Sequence, residues 1–188
     1  MPATLTPPPA AALLTAAEFA VRCAGRHVEL IDGVVVESPV PQQRHGKVCF
    51  RVAQALGNFA DAADLGHVST NDSFVRTATG PDRVRGADVC FFGYARLPKG
   101  DVPDGLLAVA PDLMVEVRSP SEGWNDVFTK VGEYLTAGVR VVVVLDMPTR
   151  SASVYRTDAL QQILTADADL TVPDVLPEFA VRVGKLFE

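Results

Sequence analysis

Two acids and a lysine stand out in this chain because each sits against an apolar run. Asp88 lies near the start of Gly86-Ala87-Asp88-Val89-Cys90-Phe91-Phe92, and Glu116 lies near the end of Leu113-Met114-Val115-Glu116-Val117. Short apolar runs bounded by turn residues predict buried strands. Pro120 has no N–H and biases Ser119 towards extended backbone, so the second strand should stop there. A carboxylate on a core strand is costly unless a cation or hydrogen bonds compensate it. After a loop, Asp126, Lys130 and Tyr134 recur at spacings of four, on one face of a helix. Two strand acids plus a lysine are the parts of a metal-assisted phosphodiester hydrolase. The acids hold a hard divalent cation through oxygen. The cation polarises the phosphoryl group and acidifies a water, and the lysine offers positive charge to the water or the phosphate. The plainer alternative is two structural acids, one paired with Lys130 and the other with Arg118.

The elements that must position these residues can be read along the chain. Residues 1–12, rich in Pro and Ala, predict a loose N-terminal arm ahead of a single domain at 13–188. Thr15 and Glu18 form a capping box, so a short helix should run from about Ala16 to about Cys23. Asp32-Gly33 between apolar runs at Val28 to Ile31 and Val34 to Glu37 predicts a hairpin. Val48, Val52, Ala55, Leu56 and Phe59 form one apolar stripe, predicting a helix from Gln43 to about Ala63 with His45 in its first turn. Gly66 to Ser69 and Ser73 to Thr77 read as two strands, followed by a turn at Thr79 to Asp82. Tyr94 to Ala110, broken by Pro and Gly, reads as a surface loop, with a short edge segment at Leu106 to Val109.

A helix from about Asn125 to Ala137 should end at Gly138 and pack Val127, Phe128, Val131 and Leu135 against the sheet. Lys130 falls at the border of that face. Arg140 to Leu145, with four consecutive valines, predicts a central strand covered on both faces. Further strands are expected at Ser151 to Arg156 and Gln161 to Leu164. An acidic, Pro-punctuated tail segment follows at Asp167 to Glu178, then a last edge strand at Phe179 to Val183. The fold class is therefore α/β, or α+β in the mixed sense: one mixed central β-sheet flanked by helices, with an N-terminal β-hairpin.

The ordered block Asp88, Glu116-Val117-Arg118-Ser119-Pro120-Ser121, Asp126, Lys130, Tyr134 and Gly138-Val139 resembles the Uma-two family. These are bacterial proteins grouped as restriction endonucleases within the PD-(D/E)XK nuclease superfamily. Glu29-Leu30-Ile31-Asp32-Gly33, Ser38-Pro39 and His45 resemble that family's opening block, so the match spans roughly Val28 to Arg156. No single motif is specific; their order and spacing together are. The resemblance implies a restriction-endonuclease-like fold and cleavage of nucleic acid, DNA in the first instance. It implies Asp88 and Glu116 as ligands of Mg²⁺ or Mn²⁺. Lys130 would be the catalytic lysine, moved from the strand to the following helix, and Glu29 and His45 accessory residues.

Two positions depart from the pattern. Ala87 stands where the family usually has Pro, and Arg118 stands where the wider superfamily carries its lysine. Arginine stays charged and cannot act as a general base, so Arg118 reads as a substrate contact on the face of Glu116. Pro81-Asp82 imitates the family's Pro-Asp signature and makes Asp82 the alternative first acid, although it sits in a turn. Glu29 could equally be a solvated hairpin residue, and His45 a helix-start histidine bonded locally.

Composition narrows the function. The chain has 188 residues, 48% of them hydrophobic, enough to bury a core. No apolar run approaches the roughly 20 residues of a membrane span. Cys23, Cys49 and Cys90 are widely spaced, odd in number and fit no zinc pattern, which predicts reduced thiols and a cytoplasmic location. The net charge of −6 argues against a large nonspecific nucleic-acid surface, while leaving room for a local one. Cutting two strands makes a homodimer the natural working unit by analogy. The second functional reading is a nuclease-like fold that no longer cuts and serves as a binding or assembly module. The irregular Ala87 and Arg118 favour it.

Overall fold

The computed structural model describes residues 13–100 and 102–188. The expected N-terminal arm lies outside the described residues. Helix α1 (Ala16–Arg22) starts with the capping box of Thr15 and Glu18. Asp82 adds to that start by accepting a hydrogen bond from the Ala16 N–H at 2.6 Å. Strands β1 (Val28–Ile31) and β2 (Val34–Glu37) form the hairpin. Its two turn residues, Asp32 and Gly33, both have positive φ, as a type I′ turn requires. Helix α2 (Gln43–Ala63) is followed by β3 (Gly66–Ala78), β4 (Arg83–Gly93) and β5 (Leu113–Arg118). Helix α3 (Trp124–Thr136) leads to β6 (Val141–Asp146), β7 (Ser151–Tyr155) and β8 (Gln162–Leu164). Strands β9 (Asp169–Val172) and β10 (Leu176–Arg182) and a short 3-10 helix (Val183–Phe187) complete the chain.

Eight strands form one mixed sheet in the order β2-β1-β4-β5-β6-β7-β8, with β3 also paired to β4. Strand β6 lies between parallel β5 and antiparallel β7 and is buried throughout, the central strand expected from its valines. Helix α2 covers one face, packing Val48, Val52 and Leu56 on Val89, Val115 and Val143. Helix α3 covers the other, packing Val127, Val131 and Tyr134 on Met114, Val142 and Val144.

The topology leaves a fork. Strand β3 occupies one edge of β4 along most of its length, so β1 and β5 must share the other edge. Strand β1 meets it at Val84, and β5 joins from Val89 to Phe91. Between those points β4 has no strand partner on that edge.

Several local expectations need correction. Gly66 to Thr77 is one strand and not two: a bulge between Thr70 and Ser73, with Asn71 at φ 68°, absorbs the polar residues that read as a break. Leu106 to Val109 is loop, not an edge strand. The segment read as an acidic tail contains β9. This strand pairs with β10 in a separate two-stranded sheet, so the last strand does not border the main sheet. Leu170, Val172, Leu176 and Phe179 join the core under α2 and compensate for the strands' shortness. On α3 the inward residue is Tyr134, while Phe128 is 49% exposed and lies beside Trp124 and Tyr155.

Leu56 is central to the α2 contact and 3% exposed. Leu56→Ala should cost about 2–5 kcal/mol of stability, measured by urea denaturation.

Candidate active site

The fork gathers the acids. Asp88 lies where the side-chain alternation of β4 slips: Ala87, Cys90 and Phe92 pack on the α3 side, Val89 and Phe91 on the α2 side. The slip and the missing strand partner turn the Asp88 carboxylate across the gap. Its Oδ2 accepts the Val117 backbone N–H at 2.7 Å, standing in for a ladder bond. The same oxygen lies 3.4 Å from His45 Nε2, so the first turn of α2 reaches over the sheet end to Asp88. That contact raises the His45 pKa against the opposing effect of burial.

Glu116, on the neighbouring strand, is 7% exposed. Its Oε1 accepts the Tyr134 hydroxyl at 2.7 Å, and its Oε2 lies 3.7 Å from Lys130 Nζ. Burial pushes the carboxyl up to about 8; Lys130 opposes this and Asp88 adds to it. Lys130 reaches inward from α3 and donates to Glu122 Oε1 at 2.9 Å. Burial works against its charge, but Glu116 and Glu122 outweigh it and raise its pKa. Its ammonium thus serves the Glu116 side of the helix.

Glu29 is no solvated hairpin residue. Its side chain is 14% exposed and accepts Arg85 Nη1 at 2.8 Å and the Gly86 N–H at 3.4 Å. Arg85 also grips Glu133 with two bonds, at 2.7 and 2.8 Å, and Arg83 ties Glu133 to Asp32. This network joins the hairpin, β4 and α3 along the open side of the fork. Arg118 has a different partner from the one considered: its Nη1 donates to Asp146 Oδ1 at 2.6 Å and its guanidinium lies 4.9 Å from the Trp124 ring centre. Its buried Nε has no acceptor among the described residues. Asp82 is spent on the α1 start and on the Gly80 N–H, remote from the fork in its bonding.

Asp88, Glu116, Lys130 and His45 therefore converge, with Glu29 at the border, and Arg118 is held aside by Asp146. Reading the residues in order missed Glu122, Arg85, Glu133 and Asp146. Glu122 sits in the loop before α3, four residues past the acid motif's Arg118, and eight before Lys130; only its sign marked it. The donor set suits a hard divalent cation. Carboxylate oxygens are the preferred ligands of Mg²⁺ and Mn²⁺, and a carboxyl raised by burial beside a second acid gains most from an added positive charge.

The native Glu116 pKa lies above its ordinary value of 4.5. Between the two values the unfolded chain releases a proton that the native protein keeps, so this group lowers stability as pH rises. Glu116→Gln should therefore gain stability relative to the parent from about pH 4.5 to about 8, measured by thermal melts in chelator.

Comparison with known proteins bears on the family and the fold. A family model, Uma2, described as "Putative restriction endonuclease", matches residues 16–184. Among solved structures, the chain is similar to a "putative nuclease belonging to DUF820 from Anabaena variabilis ATCC 29413". The TM-score is 0.79 at 20% identity, over 93% of this chain and 97% of that one. At that identity the likeness is one of fold, and it is restriction-endonuclease-like. No curated protein matches the chain.

Proposed function

The chain belongs to the Uma2 family, and on that premise we propose that it is a Mg²⁺- or Mn²⁺-dependent endonuclease that hydrolyses phosphodiester bonds in DNA. The observation that carries this reading is that Asp88 and the buried Glu116, on neighbouring strands, lie near enough for the Asp88 charge to raise the Glu116 carboxyl, with Lys130 3.7 Å from the latter. Asp88 and Glu116 would hold the cation, which when bound polarises the phosphoryl group and acidifies a water.

The chain's own residues do the rest. Tyr134 fixes Glu116 Oε1 and leaves Oε2 towards Lys130. The Val117 N–H fixes Asp88 Oδ2. Lys130 keeps its proton, favours ionised carboxylates and offers its ammonium to charge developing on a phosphate oxygen. His45 holds Asp88 from the opposite side and lends positive charge when protonated. Arg118, engaged by Asp146, orients the loop that carries Glu122 by packing on Trp124. Two copies would be needed to cut both strands at once, so the proposed working unit is a homodimer in the cytoplasm. Among the described residues no helix is long and apolar enough to cross a membrane, and the three cysteines form no disulfide.

Two outcomes test the reading. Mg²⁺ should raise the melting temperature of the parent at pH 7.5 but not of Asp88→Asn or Glu116→Gln. Lys130→Met should slow Mg²⁺-dependent cleavage of plasmid DNA by at least about 100-fold, the lower range for a positioned proton-transfer or charge-stabilising group, while binding Mn²⁺ as the parent does. A parent that binds DNA but neither Mg²⁺ nor Mn²⁺ would favour the binding-module alternative.

A further inference from the structure

Cys49 has no part in that chemistry, yet it faces the site. It lies one turn after His45 on α2, so the two side chains stack on one helical face. Cys49 Sγ is 3.4 Å from His45 Nδ1, and His45 Nε2 is 3.4 Å from Asp88 Oδ2. One ligand atom from each of His45, Cys49 and Asp88 can be chosen so that all lie within 4.8 Å of one another. All three residues are partly exposed, so an ion can reach them. Among the described residues no other group of three such side chains comes this close.

The donor set is one sulfur, one imidazole nitrogen and one carboxylate oxygen. Thiolate is a poor ligand for Mg²⁺, Ca²⁺ and Mn²⁺ and a good one for Zn²⁺. Zinc bonds of about 2.0–2.3 Å put tetrahedral ligand atoms roughly 3.3–3.8 Å apart. Side-chain rotation of His45 and Cys49 supplies the contraction. Three protein ligands leave the fourth position to water.

We propose that His45, Cys49 and Asp88 form a second metal site, selective for a Zn²⁺-class cation, that shares Asp88 with the Asp88–Glu116 pair. Two ions then compete for one carboxylate. Zinc in the His45–Cys49 site draws Asp88 away from Glu116 and blocks use of the hard cation. This last consequence rests on the proposed endonuclease reading; the site itself does not.

Cobalt is the probe, because a thiolate on Co²⁺ gives a ligand-to-metal charge-transfer band in the near ultraviolet. Reduced, full-length protein titrated with Co²⁺ should develop that band, and Zn²⁺ should abolish it. Cys49→Ser should lack the band, and His45→Gln should weaken Co²⁺ binding by at least about 100-fold, more than loss of a mere supporting hydrogen bond. Glu116→Gln should keep the band. Absence of the band in the parent, or its survival in Cys49→Ser, overturns the site. Zn²⁺ at a level that abolishes the Co²⁺ band should slow Mg²⁺-dependent cleavage, and Cys49→Ser should need about 100-fold more Zn²⁺ for the same slowing. Unchanged cleavage at saturation overturns the sharing of Asp88. A parent with the band but no Mg²⁺-dependent cleavage overturns the endonuclease reading and leaves the zinc site standing.

Discussion

The burial of one carboxyl organises this molecule. Glu116 is carried into the sheet by the apolar strand β5 and roofed by α3, where water does not compensate its charge. The protein answers with a hydroxyl from Tyr134 and an ammonium from Lys130, both on α3 and one turn apart. Packing and electrostatics are thereby coupled. The same turn of helix that closes the core on this face also delivers the two groups that Glu116 needs. Tyr134 pays no penalty for its buried polar tip because that tip has an acceptor. The remaining imbalance, a carboxyl still pushed up to about 8, is the demand for positive charge that a bound cation would meet.

The second acid depends on a defect in the sheet. Had β5 continued its pairing with β4 past Val89, the Val117 N–H would bond a backbone carbonyl and Asp88 would lie along a closed ladder. Instead β1 and β5 share one edge of β4, and the stretch between them is free. Asp88 takes the Val117 N–H, and Glu29 takes the Gly86 N–H, so side-chain carboxylates fill the places of missing strand partners. The Arg85–Glu133 pair then holds α3 to this open edge. A site of several acids is tolerated because each is bonded to a backbone N–H, a guanidinium or an ammonium.

Much of this was legible from residue order, and the exceptions have physical causes. The hairpin, α2 and β6 carry strong local signals: an Asp-Gly turn, a 3.6-residue stripe and a valine run. The gathering of Asp88, Glu116 and Lys130 followed from acids on apolar strands and a lysine at the border of a helical face. The bulge in β3 was hidden because Asn71 adopts positive φ within a strand, which looks like a turn from sequence. Strands β9 and β10 were obscured by Pro173, Pro177 and their acids. Their stability comes from Leu170, Leu176 and Phe179 packing on α2, a contact distant in sequence. Tyr134 was passed over for Phe128 because hydropathy ignores a partner for the hydroxyl. The Arg118–Asp146 pair joins neighbouring parallel strands, and no local spacing encodes it.

Asp88 and Glu116 are proposed to hold one hard divalent cation between them. Anomalous diffraction from a crystal soaked in Mn²⁺ tests it most directly. The expected result is a single strong peak bonded to oxygens of both carboxylates, at roughly 2.0–2.3 Å, with Lys130 close by. A peak on Asp88 that excludes Glu116, or none in the fork when Mn²⁺ binds elsewhere on the chain, would contradict it.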